Sequence, residues 1–118
     1  MIAFPPRDLN MTDVLQIVTT VGSREDAERI AKELVEKRLA ACAQVSGPIT
    51  SFYWWEEKLE QSQEWVCRIK TRRAHYAALE EAIRDAHPYD VPEILATTVV
   101  AGNPRYLEWV AKETSVTK

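Results

Sequence analysis

The fold class that this sequence of 118 residues predicts is α+β, in a single domain. Strand-like runs and segments of helical periodicity follow one another in the order strand, helix, hairpin, helix, strand, short helix. Apolar residues make up 46% and charged residues 28%, as expected of a chain that buries a core. The order βαββαβ followed by α is that of a ferredoxin-like sandwich, here with a long bent β-hairpin and a short C-terminal helix.

The first predicted elements are a strand at 14–20 and a helix at 24–38. VLQIVTT is a short, β-branched run that ends just before Gly22. Ser23 then opens the segment SRED as an N-cap, with acidic residues in the first turn of the helix. Apolar side chains recur after it at helical spacing, so we expect one buried face and one solvated, charged face.

The hairpin is predicted from two strand-like runs around a polar segment. The small apolar segment 39–45 leads to a Gly-Pro pair at 47–48, which we expect to bend or bulge the strand instead of ending it. ITSFYWWE at 49–56 and EWVCRIKT at 64–71 are rich in β-branched and aromatic residues. The polar segment between them, EKLEQSQ at 57–63, predicts the loop of the hairpin.

The second half of the chain predicts a helix, a strand and a closing helix. Apolar residues at helical spacing follow Arg72, and Pro88 prevents the helix from continuing. Because a residue before proline is disfavoured in the α region, His87 is expected at the helix end. The last strand is predicted at 93–102, and the Asn-Pro pair that follows it begins a short helix.

The expected organisation is a mobile N-terminal extension at 1–12, one domain at 13–113 and a tail at 114–118. The segment MIAFPPRDLNMT lacks the pattern of a secretory signal, and no apolar run approaches the roughly 20 residues of a membrane-spanning helix. A formal charge of −3 offers no basic field for nucleic acid. We therefore expect a cytoplasmic protein without nucleic-acid or membrane partners.

The predicted sheet has helices on one face only, and this favours self-association. The hairpin also carries a concentration of aromatic side chains, namely Phe52, Tyr53, Trp54, Trp55 and Trp65. A monomer rarely exposes so large an apolar surface. We expect a homo-oligomer with closed symmetry that covers this sheet.

Two parts of the sequence carry candidate ligand-binding side chains. They are the hairpin and its exit, with Tyr53, Trp54, Glu64, Lys70 and Thr71, and the segment AHPYDVPEI, with His87, Tyr89, Asp90 and Glu93. A neighbouring subunit's hairpin could bring the two sets together. The sequence contains no phosphate-binding glycine loop, zinc-protease motif or nucleophile elbow, which favours a binding module over an enzyme.

His87 has three possible roles by residue type. It could bond a backbone carbonyl at the helix end, ligate a metal with help from Asp90 or Glu93, or act as an acid and base. Glu93 begins a strand predicted to be buried, so we expect it to form an ion pair with Lys70 or Arg68.

The order of several segments resembles the CutA proteins, which are described as divalent-cation tolerance proteins. These segments are KRLAACAQV, SFYWWEEKLEQSQEW, RIKT, AHPYDVPEI and YLEWV. The most specific spacing is KT, then sixteen residues, then PYDVPE. The resemblance extends from about Val14 to Trp109. It implies a cytoplasmic homotrimer of ferredoxin-like subunits similar to the PII signalling proteins, without enzymatic activity and linked to tolerance of copper and other divalent cations.

The resemblance also implies a ligand set. Some family members are described as binding copper through a cysteine at the end of the first strand and a histidine pair before the Pro-Tyr. Thr19 and Ala86 replace two of these groups, so His87 alone is the implied ligand for Cu(II) or another divalent cation. The alternative is a PII-like regulator that binds a small anionic or nucleotide ligand in an intersubunit cleft containing Lys70, His87, Tyr89 and Glu93.

Overall fold

A computed structural model describes residues 12–115. Within them, four strands and three α-helices form, with the bounds β1 (Val14–Val21), α1 (Arg24–Glu36), β2 (Cys42–Trp55), β3 (Lys58–Arg72), α2 (Tyr76–Ala86), β4 (Ile94–Thr98) and α3 (Pro104–Glu113). The strand order is β2-β3-β1-β4, and all neighbouring strands are antiparallel. This is the order of a ferredoxin-like βαββαβ unit, so the predicted fold class is confirmed.

The predicted extension at 1–12 and tail at 114–118 lie mostly outside the described residues, and their boundaries stay predictions. None of the helices between residues 12 and 115 has the length and apolar character needed to cross a membrane.

The main hydrophobic core lies between one face of the sheet and the helices α1 and α2. Its fully buried side chains include Ile17, Ile30, Leu34, Ile69, Leu79 and Ile83. Because successive strand residues point to opposite faces, the neighbours of Ile17 and Ile69 along their strands lie on the other face. α3 packs against this other face of the sheet at the start of β1, where Val110 contacts Val14 and Ala41.

α1 begins as predicted and ends earlier. The Ser23 hydroxyl accepts a hydrogen bond from the Asp26 amide at 3.1 Å, which is the predicted N-cap. The helix ends at Glu36 and not at 38, because Arg38 adopts a left-handed φ of 62°. A left-handed residue after the last turn is a common way to end a helix.

The hairpin has longer strands and a shorter turn than predicted. β3 begins at Lys58, and the turn consists of Glu56 and Glu57, whose φ angles are 48° and 66°. Two left-handed residues form the tight turn whose twist suits an antiparallel pair. The predicted loop at 57–63 is therefore wrong. Its polar residues belong to a strand without a core on either side, so their polarity did not indicate a loop.

β4 is shorter than the predicted strand at 93–102. It spans Ile94–Thr98 and pairs only with β1, from Thr19 opposite Ile94 to Leu15 opposite Thr98. Beyond Thr98 the ladder ends because β1 itself begins at Val14. The chain then leaves the sheet towards α3.

β2 bends at Gly47 and Pro48, and this confirms the predicted bulge. Pairing passes from Ser46 opposite Val66 to Ile49 opposite Glu64, so two residues of β2 lie opposite Trp65 alone. Gly47 has a φ of 149°, and a Cβ added there would lie 2.7 Å from Cδ1 of Trp65. The indole thus packs directly against the backbone of the bulge.

Beyond the bulge, β2 and β3 continue past β1 as a two-stranded ribbon, residues 49–64. β1 pairs with β3 only from Trp65 onwards. By the register, one face of the ribbon, here called the inner face, carries Ile49, Ser51, Tyr53, Trp55, Lys58, Glu60, Ser62 and Glu64. The other, outer face carries Thr50, Phe52, Trp54, Leu59, Gln61 and Gln63. Phe52, Trp54 and Leu59 are 65%, 73% and 65% exposed, so they form an exposed apolar patch on the outer face.

We predict that Gly47→Ala lowers the free energy of unfolding by about 2–4 kcal/mol, because it combines a strained φ with a clash against Trp65. The matched control is Gly102→Ala, whose added Cβ would lie 3.3 Å from the flexible end of Leu107. We expect the control to change stability by less than about 1 kcal/mol. Denaturant unfolding at equal protein concentration measures both, and equal losses would contradict the role of Gly47.

Candidate functional site

A cleft of about 760 Å³ opens between the ribbon and the segment 87–93, which connects α2 to β4. Its lining consists of Thr20, Ser51, Phe52, Tyr53, Trp54, Trp55, Glu60, Glu64, Tyr89, Asp90, Val91 and Glu93. A volume of this size is ordinary for a small-molecule site. The structure therefore brings together the sequence candidates Tyr53, Trp54, Glu64, Tyr89 and Glu93.

Glu64 is the buried acid of this cleft, with 8% of its surface exposed. The Ser51 hydroxyl donates to its Oε1 at 2.7 Å, and the Tyr89 phenol donates to its Oε2 at 2.8 Å. Both oxygens accept hydrogen bonds, which is the pattern of a carboxylate. Among the described residues, Glu64 forms no ion pair with a lysine, arginine or histidine. Its partners are hydroxyl groups without a positive charge.

Tyr89 connects the segment 87–93 to the ribbon. Burial, together with the hydrogen bond to Glu64 and the charge of that carboxylate, raises the pKa of the Tyr89 phenol far above its ordinary value. The phenol therefore stays protonated and donates. Gly22 leaves the room for it, since a Cβ at that position would lie 3.3 Å from the Tyr89 oxygen.

His87 attaches the other end of the same segment to β1. The Tyr89 amide donates to its Nδ1 at 3.1 Å, and its Nε2 lies 2.8 Å from the carbonyl oxygen of Thr20. A carbonyl can only accept and an amide N–H donates, so Nε2 is the donor nitrogen of the ring and Nδ1 the acceptor. His87 is 8% exposed, and both of its ring nitrogens bond the backbone. The role of His87 as a metal ligand stays a prediction. A metal ion could bind a ring nitrogen only by displacing one of these hydrogen bonds.

Lys70 and Thr71 lie at the far end of β3 from the cleft. At about 3.3 Å per residue they are roughly 20 Å from Glu64 along the strand. The Lys70 ammonium donates to the Gln44 side chain, and the buried Thr71 hydroxyl donates to the Leu39 carbonyl. Within one chain these two sequence candidates therefore do not line the cleft.

Glu93 differs from its predicted surroundings. It is exposed at the rim of the cleft, where the Thr20 hydroxyl lies 3.4 Å from its Oε1. The predicted ion pair with Lys70 or Arg68 does not form among the described residues. Arg68 lies in the middle of the sheet opposite Val18, whereas Glu93 precedes β4.

The cleft is acidic. Four carboxylates line it, from Glu60, Glu64, Asp90 and Glu93, and its lining includes no lysine, arginine or histidine. Such a lining attracts cations and repels anions. Between residues 12 and 115 no group of three His, Cys, Asp or Glu side chains is arranged to hold a metal ion.

Sequence reasoning missed the contribution of Ser51 to the cleft. The register across the ribbon decides that its hydroxyl lies beside Glu64, and the wrong loop prediction at 57–63 concealed that register.

The chain matches the family model described as CutA1 divalent ion tolerance protein over residues 15–113. The divalent-cation tolerance protein CutA of Thermus thermophilus is 41% identical over 98 residues, which cover 83% of this chain and 95% of that protein. Protein CutA 1, chloroplastic, of Oryza sativa is 39% identical over 83% of this chain and 55% of that protein, so the match spans about half of the rice protein.

A solved structure agrees with these sequence matches. The crystal structure of CutA from Xylella fastidiosa superposes with a TM-score of 0.86 at 38% identity and covers 88% of this chain and 100% of that one. The fold and the matched sequence thus define a ferredoxin-like protein with an extended hairpin. This chain belongs to the CutA1 family of divalent ion tolerance proteins.

We predict that Tyr89→Phe lowers the free energy of unfolding by about 1.5–3 kcal/mol, because it leaves a buried carboxylate oxygen without its donor. The matched control is Tyr53→Phe, which removes only an exposed hydroxyl contact with Ser62 at 3.2 Å. We expect the control to change stability by less than about 1 kcal/mol. Denaturant titration measures both variants.

The difference in free energy of unfolding between wild type and Tyr89→Phe should depend on pH, because the pKa of Tyr89 is raised in the folded protein. The folded protein holds the phenolic proton more tightly than the unfolded chain, whose tyrosine pKa is about 10. The stabilisation is therefore complete below about pH 10 and is lost as the pH rises through the raised pKa. A difference between wild type and Tyr89→Phe that vanishes already at neutral pH would contradict this assignment.

Proposed function

We propose that this protein serves divalent-cation tolerance as a homotrimer that binds a cation and catalyses no reaction. Its membership of the CutA1 family supports the tolerance role. The lining of the cleft has four carboxylates and no basic side chain, and this observation favours a cation as the ligand. A negative field of this kind favours a cation over a phosphate or nucleotide.

The hydrogen bonds in the cleft support binding over catalysis. A general acid or base needs a pKa near the working pH and access to the substrate. The pKa of Tyr89 is raised further from neutrality, and both oxygens of Glu64 already accept hydrogen bonds. We therefore treat these two side chains as ligand contacts and not as proton-transfer groups.

The outer face of the ribbon supports the proposed trimer. Phe52, Trp54 and Leu59 lie side by side on it and are more than half exposed. An apolar surface on a projecting element is typical of a contact between subunits. We expect a neighbouring subunit to contact this face. Since Phe52 and Trp54 also line the cleft, that subunit would lie beside the cleft, into which the inner face with Glu64 is turned.

Metal coordination under this proposal needs donors from more than one subunit. The rim of the cleft offers the exposed carboxylates of Asp90 and Glu93, and oxygen donors of this kind suit ions such as Mn²⁺ or Mg²⁺. Cu(II) prefers nitrogen, and His87 is the imidazole predicted to supply it.

The proposed location is the cytoplasm. The name of the rice relative places that protein in the chloroplast, so family members also occupy other compartments.

The alternative function is a PII-like regulator with a small anionic or nucleotide ligand. Lys70 is half-buried and donates only to Gln44 in one chain, so it could serve a cleft that a neighbouring subunit completes. The acidic lining of the cleft makes this the second choice.

Calorimetric titration of the wild-type protein with Mn(II), Cu(II) and ATP tests the choice between these functions. We expect saturable binding of divalent cations and no binding of ATP, because carboxylates repel the phosphates. ATP binding without cation binding would contradict the proposal. The same Cu(II) titration on His87→Ala, with His75→Ala as its control, tests the predicted imidazole ligand. Identical curves for wild type and His87→Ala would contradict that role of His87.

Light scattering after gel filtration tests the proposed assembly. We expect the wild-type protein to have three times the 13.5 kDa mass of the chain. Trp54→Ala removes an indole from the outer face, so we expect it to dissociate on dilution. Trp55→Ala removes an indole from the inner face and should keep the trimer. A monomeric wild type, or equal dissociation of both variants, would contradict the assignment of the outer face.

A further inference from the structure

We infer that the cleft binds a small organic cation, an alkylammonium group, with Glu64 as its counterion and the rings of Tyr53, Trp55 and Tyr89 as its walls. This inference rests on the proposal that the cleft takes a cation. It does not depend on the role of the protein in metal tolerance.

The first argument is the uncompensated charge of Glu64. Its side chain is more than nine-tenths buried, and its two contacts come from the uncharged hydroxyls of Ser51 and Tyr89. Buried carboxylates are ordinarily paired with a positive group, because desolvation of a lone charge is expensive. Glu64 lines a cleft and has no ion-pair partner among residues 12–115, so a ligand can supply that positive group.

The second argument is the aromatic character of the cleft. The register places Tyr53 and Trp55 on the inner face together with Glu64, and Tyr89 approaches from the segment 87–93. These three side chains are 41%, 49% and 38% exposed, so ring surface remains available in the cleft. Aromatic faces attract alkylammonium groups through cation–π interactions, and cages of such rings recognise quaternary ammonium ligands.

The third argument separates an organic cation from a metal ion. A hard divalent metal needs about six oxygen donors at roughly 2.0–2.6 Å. The described residues contain no group of three candidate metal donors, and both Glu64 oxygens already accept hydrogen bonds at 2.7 Å and 2.8 Å. An alkylammonium ion needs only one nearby anion and apolar contact. The cleft of about 760 Å³ has room for such a molecule.

Calorimetric titration of the full-length wild-type protein with choline tests the inference. The matched ligand is the uncharged tert-butyl analogue of choline, in which carbon replaces the quaternary nitrogen. We expect saturable binding of choline and binding of the analogue at least about tenfold weaker, since the analogue lacks the charge that Glu64 and the rings attract. Equal binding of the two ligands, or binding of neither, would overturn the inference. This comparison needs no variant, so a folding defect cannot hide its result.

Two variants then locate the site. We expect Glu64→Gln to weaken choline binding by at least about tenfold and Trp55→Leu by about three- to tenfold. The control is Glu81→Gln, which makes the same change of charge at an exposed position of α2 and should bind choline as wild type does. Circular dichroism melting verifies that each variant is folded. Wild-type affinity in folded Glu64→Gln would overturn the assignment of the counterion.

The Mn(II) and Cu(II) titrations separate this inference from the proposed function. Metal binding without choline binding overturns the organic-cation site and leaves the proposed function intact. Choline binding without metal binding supports the site and contradicts metal coordination by this protein.

Discussion

The two hydrogen bonds to Glu64 link the paired strands β2 and β3 of the ribbon to the segment before β4, which forms no backbone ladder with the ribbon among residues 12–115. Ser51 belongs to β2, Glu64 to β3 and Tyr89 to the segment before β4. The ribbon projects beyond β1, and the hydrogen bond from Tyr89 to Glu64 connects its inner face to this segment. The shape of the cleft therefore depends on one buried carboxylate and its two donors.

Two glycines leave room for the aromatic rings around this network, and one histidine bonds the backbone beside it. Gly22 admits the Tyr89 phenol, and Gly47 admits the Trp65 indole at the bulge from which the ribbon departs. His87 joins the segment 87–93 to the end of β1 through its two ring nitrogens. Because Pro88 excludes a further helical turn, the segment leaves α2 in extended conformation at His87, whose ψ is 134°. These contacts position Tyr89 before any ligand arrives.

The alternation of its side chains gives the ribbon two different faces. Three large apolar side chains form a patch on the outer face, whereas the inner face combines aromatic rings with charged groups and hydroxyls. A strand can carry both surfaces because its side chains repeat every second residue. In the segment 57–63 both faces of the strand are mostly polar, and this makes the segment resemble a loop in the sequence.

The sequence alone determined the element order, the N-cap at Ser23, the bulge at Gly47-Pro48 and the helix end before Pro88, because local sterics and hydrogen bonds decide them. It also pointed to Tyr53, Glu64, Tyr89 and Glu93 as site residues. Only the tertiary structure decided the tight turn at Glu56-Glu57, the distance of Lys70 and Thr71 from the cleft, and the exposure of Glu93. These depend on register and on which strands are neighbours. The contacts of Ser51 with Glu64 and of His87 with Thr20 join residues distant in sequence, which local pattern does not encode.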